Sequence, residues 1–591
     1  MGRIGDYALI GDCHTVALVG RDASIDWWCP GRFDSPSAFA RILDPGAGHC
    51  AITIEGRRSS SRSYVQDTNV LTTVLSNDDG DLEITDCMPV DAYDPAEPAT
   101  VVARHCILRR LRCLSGHVTV HLDVSPKPDY GRVDAPVLQE SFDLSAGDSR
   151  WLRVDGQTLA ATTQVDAHEA ATQLVTTIAF WRDWLSCCSY AGAYEDVVRR
   201  SALVCKALIY APTGAVVAAP TTSLPEWIGG ERNWDYRYTW IRDATLTMIS
   251  LRVLGYGAEA DAFKRWLERA GAGRPESLQI MYGVGGEPDL PEMQLDHLAG
   301  HRDSRPVRIG NGAATQKQHD SYGQIVEAAY LYVRSGGDLS ERNRRFLAAL
   351  VDVAAQRWRT PDHGIWEIRA EPRRFVHSTL LCWVALARAV ELAELGQLEG
   401  DVAAWTVERD ACRTYLLDVA TRTGWFPQAA GSDDTEEAAD AATLLIPAMG
   451  LLPANDPAVR KTVERVRADL SEHGLLLRYR AEDGLAGDEG VFLLCSFWLV
   501  DVLTHQGGTH EAEELLERLI GLANDVGLFA EETYAETGEA LGNFPQAFTH
   551  MALITTCAHV TAAREQRIPS PDVAHDFAAS AIDRLIVDGR C

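Results

Sequence analysis

The most constraining feature of this 591-residue chain is the spacing of its helical segments from residue 192 onward. Apolar residues there recur at helical period in twelve stretches, about 192–210, 242–254, 257–271, 316–335, 338–358, 376–396, 401–419, 437–450, 456–472, 490–506, 509–524 and 544–565. The links between them alternate. Those after the second, fourth, sixth, eighth and tenth stretches are only a few residues long, as in helix hairpins. Those before the even-numbered stretches are long: about 211–241, 272–315, 359–375, 420–436, 473–489 and 525–543. Six hairpins joined in this way are expected to close into an (α/α)6 toroid. Every long loop then sits at one end, above the inner helices. An open α-solenoid would share the hairpins. Against it, no segment of this sequence repeats another, and the unusual residues lie in the long loops. Function is therefore expected there.

Residues 1–165 have a different texture. Stretches such as 101–111 and 118–124 are rich in β-branched and apolar residues, and turn signals such as Asn77-Asp-Asp-Gly and Asp155-Gly separate them. This predicts an antiparallel β-sandwich. A helical linker over 166–191 leads to the second domain, 192–591. The expected fold class is α+β multidomain, an N-terminal sandwich followed by the toroid.

Composition excludes some partners. Hydrophobic residues make up 46% and charged residues 24%, as in ordinary soluble domains. Lys plus Arg number 55 and Asp plus Glu 84, a formal charge of −29 that argues against nucleic acid or an anionic membrane as partner. No long apolar run follows Met1, so no secretory leader is expected, and Asp6 breaks the myristoylation pattern. The most apolar stretches, such as 491–503, are too short or too interrupted to span a bilayer. The 14 cysteines include no CxxC and no zinc-ligand spacing. Cys382, Cys495 and Cys557 lie in apolar helical runs and read as buried thiols. A reduced, cytoplasmic protein with no cofactor and no metal is expected. The oligomeric state is left open.

The long loops carry the chemistry. The first holds Trp227 and then Trp234, Tyr236, Tyr238 and Trp240, five rings suited to stacking on the apolar faces of sugars. Arg242 and Asp243 follow at the start of a helix, where Asp243 either faces the mouth of the toroid or merely caps the helix. The second loop is rich in glycine (Gly283-Val-Gly-Gly-Glu) but lacks either phosphate-binding signature. The third holds Trp366-Glu367 and the last Glu531-Glu532, each with apolar neighbours. Apolar surroundings raise a carboxyl pKa by disfavouring its charged form. Hydrolysis of a glycosidic bond needs one carboxyl protonated and a second ionised, on opposite sides of one pocket. In the fifth loop Arg478 could fork onto adjacent hydroxyls, with Asp483 and Asp488 as polar contacts or plain turn formers. The fourth loop, 431–437, is acidic and reads as solvated.

These pieces resemble glycoside hydrolase family 15, the glucoamylase, glucodextranase and trehalase group. The resemblance is carried by Ile4-Gly-Asp-Tyr-Ala-Leu-Ile-Gly-Asp-Cys, Ser24-Ile-Asp-Trp, Arg32-Phe-Asp-Ser-Pro, the runs 220–226 and 232–243, 305–311, Gly364-Ile-Trp-Glu, Cys495-Ser-Phe-Trp, Glu531-Glu532 and Gly542-Asn-Phe-Pro-Gln-Ala-Phe. It implies a glucoamylase-like six-hairpin barrel behind a β-sandwich, and hydrolysis by single displacement with inversion. It implies Glu367 as general acid and Glu531 as general base. Arg242 and Asp243 would hold the terminal glucose, and Trp366, Arg308 and Arg478 would line the pocket. Trp240 and Tyr479 complete the expected sugar-binding set. This sequence departs from the family at Thr379, where Lys often follows His-Ser, and at Gln324, where Glu often follows Tyr-Gly; its β-domain is also shorter.

Tyr282-Gly-Val-Gly-Gly-Glu, Ile309-Gly-Asn-Gly and Gln318-His-Asp are most similar to the trehalase branch. The implied substrate is the small neutral α-glucoside α,α-trehalose. The alternative is an exo-α-glucosidase acting on maltose, isomaltose or short dextrins. A phosphorylase would need only the acid, and a non-catalytic sugar-binding relative would be expected to lack one of the two glutamates; both are present.

Overall fold

A computed structural model describes residues 2–581, apart from 92–93, 95–96, 98–99, 271–274, 276–277, 431–437 and 482. The acidic stretch 431–437 thus lies outside the described residues.

The N-terminal region is one antiparallel sheet of eleven strands, β1 (Tyr7–Gly11), β2 (Val16–Gly20), β3 (Ile25–Trp28), β4 (His49–Ile54), β5 (Ser59–Tyr64), β6 (Leu71–Ser76), β7 (Gly80–Cys87), β8 (Cys106–Ser125), β9 (Leu138–Ser145), β10 (Ser149–Asp155) and β11 (Ala161–Thr162). β8 joins the two halves. Its first part pairs with β7 and β10, and its last part with β4 and β9. The change falls at Gly116 (φ +66°), where a Cβ would stand 1.8 Å from the Asp79 carbonyl oxygen, so only glycine fits. The sheet folds over at β8, which brings β1 and β4 against β6 and β7. β6 shows the expected period of two, burying Leu71, Thr73 and Leu75.

The linker helix Ala167–Leu185 is capped by the Asp166 carboxylate, which accepts the His168 and Glu169 N–H groups. Beyond it, twelve helical elements among the described residues form two concentric rings. The inner ring is Ile241–Val253, Asp320–Arg334, Val376–Glu394, the short pair Ala441–Leu444 and Leu445–Ala448, Leu493–His505 and Ala547–Arg564. Each inner element touches the next, and the last touches the first, so the ring closes. The outer ring is Glu195–Ala207, Gly257–Ala270, Glu341–Arg357, Val402–Thr423, Pro457–Leu470 and Thr509–Ile520. Burial follows the rings. Thr509–Ile520 buries only Ala512, Leu516 and Leu519, whereas Val376–Glu394 is buried on almost every face. Val376–Glu394 is also long and apolar enough to cross a membrane, although no such stretch was expected. Its apolar window is 89% buried in the toroid, and it is the third inner helix.

The fourth inner element is shorter than the helix expected over 437–450. It begins as a 3-10 turn capped by Asp440 and stops before Gly450, whose φ of +77° ends the helical run. The β-domain packs beside the mouth. The Trp27 indole donates to the Pro220 carbonyl (2.8 Å), Arg237 donates to that of Ser35 (2.9 Å), and the His301 ring meets that of Ile42 (2.9 Å). The glycine-rich stretch of the second loop closes on Glu287, whose carboxylate accepts the Gly285 N–H and pairs with Arg32 of the β-domain. Those glycines leave room for that carboxylate, since a Cβ at Gly283 or Gly285 would lie 2.4 Å from it.

Candidate active site

The long loops before the inner elements converge on one cleft of about 710 Å3, counting its open mouth. The six inner N-termini face the same end, so the cleft receives the positive ends of their dipoles. Glu367 comes from the loop before the third inner helix and Glu531 from the loop before the sixth. Three positions apart in a ring of six, the two carboxyl groups enter the cleft from opposite walls.

Glu367 sits on a tight turn in the left-handed region (φ +59°), which a non-glycine residue seldom occupies without the surrounding fold holding it there. That support is visible. The Arg242 guanidinium donates to the Ile365 carbonyl (2.5 Å), and the Gln316 amide donates to the Glu367 carbonyl (3.2 Å). The Trp240 indole N–H donates to Glu367 Oε1 at 2.6 Å, and Arg242 Nη1 stands 3.6 Å from the same oxygen. Burial raises the Glu367 carboxyl above its ordinary value, with Arg242 and the Trp240 hydrogen bond pulling it back.

Glu531 is 1% exposed. Its Oε1 accepts the Tyr236 hydroxyl at 2.7 Å, and its Oε2 has no protein partner among the described residues. Gly542 (φ +72°) lies against it, and a Cβ there would come within 2.6 Å of Oε2. Burial and the neighbouring Glu226 carboxyl push Glu531 up to about 8, while Arg478 and the Tyr236 hydroxyl favour its charged form. Glu226, Glu489 and Glu532 surround the Arg478 guanidinium, with Nη2 at 3.1 Å from Glu226, in hydrogen-bond contact with Glu489 and 3.6 Å from Glu532. These three carboxylates lie close enough together to hold a cation, and Arg478 supplies that charge. Glu532, with desolvation and Glu226 acting on it, is held well above the usual carboxylate range.

The other expected residues divide. Arg242, Asp243, Trp240, Trp366, Arg478 and Tyr479 all line the cleft. Asp243 does not cap its helix; Trp240 is the cap residue, and the buried Asp243 carboxylate accepts Arg242 Nε at 2.9 Å. Trp366 is fixed by its indole N–H, which donates to Asp440 at 2.8 Å. Arg308 is not among the lining residues. Its guanidinium lies over the Trp234 ring and donates to the Glu231 and Asn233 carbonyls, so it supports the wall from behind. Asp483 is buried and ties the fifth loop to the first by accepting Arg232 (2.7 Å) and the Tyr479 hydroxyl (2.7 Å). Asp488 is exposed outside the cleft.

Among the charged lining residues, Glu226, Arg232 and Arg369 had no individual role in the sequence reading, and Tyr236, expected only as a stacking ring, donates to a carboxylate. Three of these four lie in runs already singled out, 220–226 and 232–243. The signal was present, but only folding shows which side chain of each run meets a carboxylate.

Residues 192–558 match the family described as Glycosyl hydrolases family 15, and residues 2–176 match the family described as Trehalase-like, N-terminal. Among similar proteins is the Trehalase of Mycolicibacterium smegmatis, 38% identical over 617 residues, covering 95% of this chain and 92% of the relative. The Trehalase of Thermoplasma volcanium is 34% identical, covering 93% of this chain and 92% of the relative. Among solved structures, a bacterial glucoamylase complexed with acarbose matches 98% of this chain and 96% of its own with a TM-score of 0.66 at 12% identity, a likeness of fold.

Proposed function

This chain belongs to glycosyl hydrolase family 15 and is a glycoside hydrolase, and we propose that it hydrolyses α,α-trehalose to two glucoses by single displacement, with Glu367 as general acid and Glu531 as general base. The observation that carries this reading is the pair of carboxyl groups on opposite walls of one cleft, each accepting a side-chain hydrogen bond: Trp240 on Glu367 and Tyr236 on Glu531. The Trehalase name of the relatives over most of the chain favours trehalose over maltose or isomaltose.

In the reaction the Glu367 carboxyl gives its proton to the glycosidic oxygen as the C1–O bond breaks. Glu531 takes a proton from a water molecule whose oxygen bonds to C1 from the opposite face. The cleaved glucosyl unit leaves as β-glucose, and the departing sugar keeps its α configuration. Glu367 ends ionised and Glu531 protonated, and exchange with solvent restores both. Arg242 and Asp243, which line the cleft, would hold the hydroxyls of the cleaved unit.

The base works only as a carboxylate. With Glu531 held up to about 8, its ionised fraction grows as pH rises through the neutral range. Glu532, in the same cluster, is likewise held well above the usual carboxylate range, by burial and by the Glu226 carboxyl.

The test is glucose release from trehalose, maltose and isomaltose by wild type, Glu367→Gln and Glu531→Gln, with the anomers followed by NMR. Equal initial yields of α- and β-glucose from trehalose, with losses of about 10²- to 10⁴-fold in both variants, are expected. Full activity in either variant would remove that residue from its role, and a preference for maltose or isomaltose would replace the substrate.

A further inference from the structure

Two residues past Glu367, Arg369 forms part of a rim that none of the assignments above uses. Its backbone N–H and that of Ala370 both donate to the Asp483 carbonyl, at 3.0 and 2.9 Å, which pins the third loop to the fifth. Its guanidinium carbon lies 4.4 Å from the centroid of the Trp234 ring, and that of Arg308 lies 4.5 Å from the same ring. Glu292 of the second loop links the two cations, at 3.1 Å from Arg369 and 3.5 Å from Arg308, and also accepts the Gly312 N–H. Four loops thus fix one guanidinium group in one place.

Arg369 and Trp234 line the cleft, whereas Arg308 and Glu292 stand behind them. Exposure rises from the floor outward: the side chains of Asp243 and Arg242 are 5% and 15% exposed, and that of Arg369 is 33% exposed. Arg369 therefore marks the mouth, on the outer side of Glu367. If Glu367 protonates the glycosidic oxygen, the cleaved unit lies toward Arg242 and the departing sugar toward Arg369. Among the described residues Glu292 is the only hydrogen-bond partner of the Arg369 guanidinium, through Nη2. Nε–H and Nη1–H2 remain as donors in a fixed planar fork, the geometry that suits two adjacent hydroxyls.

We propose that Arg369, held by Trp234 and Glu292, binds the hydroxyls of the departing glucose. This rests on the assignment of Glu367 and on a disaccharide as substrate. It adds a specificity-determining residue at the leaving-group position, with Glu292 as its positioning residue.

The test compares kcat/KM on trehalose with kcat/KM on α-glucosyl fluoride, whose leaving group has no hydroxyls to bind. Arg369→Ala is expected to lower the trehalose value about 10- to 100-fold, the worth of a hydrogen bond to a charged group. It should leave the fluoride value within about twofold, which also shows that the variant is folded. Arg369→Lys, which keeps the charge without the fork, should recover only part of the loss. Glu292→Gln should show a smaller loss in the same ratio. Equal losses on both substrates, or no loss on trehalose, would overturn the proposal. Should wild type cleave the fluoride but not trehalose, the substrate assignment fails instead, and the ratio is taken on the disaccharide that wild type does cleave.

Discussion

The Tyr236 hydroxyl donates to Oε1 of Glu531 across 295 positions of sequence, at 2.7 Å. Glu226 acts on the same carboxyl in the opposite sense. The hydroxyl stabilises the carboxylate, and the nearby negative charge opposes it. A base at Glu531, as proposed, must be ionised, and its ionised fraction falls as pH drops through its pKa. Removing the hydroxyl raises that pKa and moves the limb of the kcat/KM profile that Glu531 sets to higher pH. Removing the Glu226 charge lowers the pKa and moves the limb to lower pH. Tyr236→Phe and Glu226→Gln should therefore shift the limb in opposite directions, with Tyr236→Phe also losing about tenfold or more at neutral pH. Shifts in the same direction would mean that Glu531 does not set this limb.

Trp240 plays the matching part at Glu367, the proposed acid. Its indole N–H favours the charged form of Glu367, so Trp240→Phe should raise the Glu367 pKa and carry the limb that Glu367 sets to higher pH. The variant also loses the donor that orients the carboxyl, and kcat should fall by about tenfold. A profile with both limbs unchanged in a variant with lowered kcat would place the role of Trp240 elsewhere.

Gly542 tests the packing around the base. Alanine there must adopt φ near +72° and place its Cβ 2.6 Å from Glu531 Oε2 and 2.9 Å from Glu531 Cβ. The backbone penalty is about 1 kcal/mol, but the displacement falls on Glu531 Oε2, an oxygen of the proposed base. Gly542→Ala is expected to cut kcat about 10²-fold while shifting thermal unfolding by only a few degrees. Retained activity would show that the Glu531 side chain can move without loss.

Stability away from the cleft depends on a buried ion pair. Lys206 Nζ stands 3.0 Å from Glu259, both side chains are at most 3% exposed, and the Trp184 indole donates to the same carboxylate at 2.6 Å. Lys206→Met leaves that carboxylate buried without its counter-ion, a loss of about 3–5 kcal/mol. The double variant Lys206→Met/Glu259→Gln should recover part of it in urea unfolding, with activity on trehalose unchanged in the surviving folded enzyme. A double variant no better than the single one would show that the two charges act independently.

Much of this protein was legible along the chain. Periodicity is a local property, so twelve helical stretches and their alternating links could be read without a partner in view, and those links place every loop of the cleft at one end. Glu367 and Glu531 stood out because each lies in such a loop beside apolar neighbours, and Arg242 and Asp243 because they follow the aromatic run at the start of a helix. The four also reach the cleft. The expectation for the fourth inner element was less good. Its apolar run continues to 450, but Gly450 turns left-handed and ends the helix early.

The tertiary structure decided which polar side chain meets which. Arg478 was expected to face sugar hydroxyls, yet its Nη2 is taken up by carboxylates that include Glu226, 252 positions away. Arg308 was expected in the pocket, but the fold sets it behind Trp234; Asp483 became a tie between loops. No local pattern encodes these outcomes. They arise when the ring closes and brings loops remote in sequence within a few ångströms, where burial makes every unpaired charge costly and each carboxylate must settle on the donors that the neighbouring loops present.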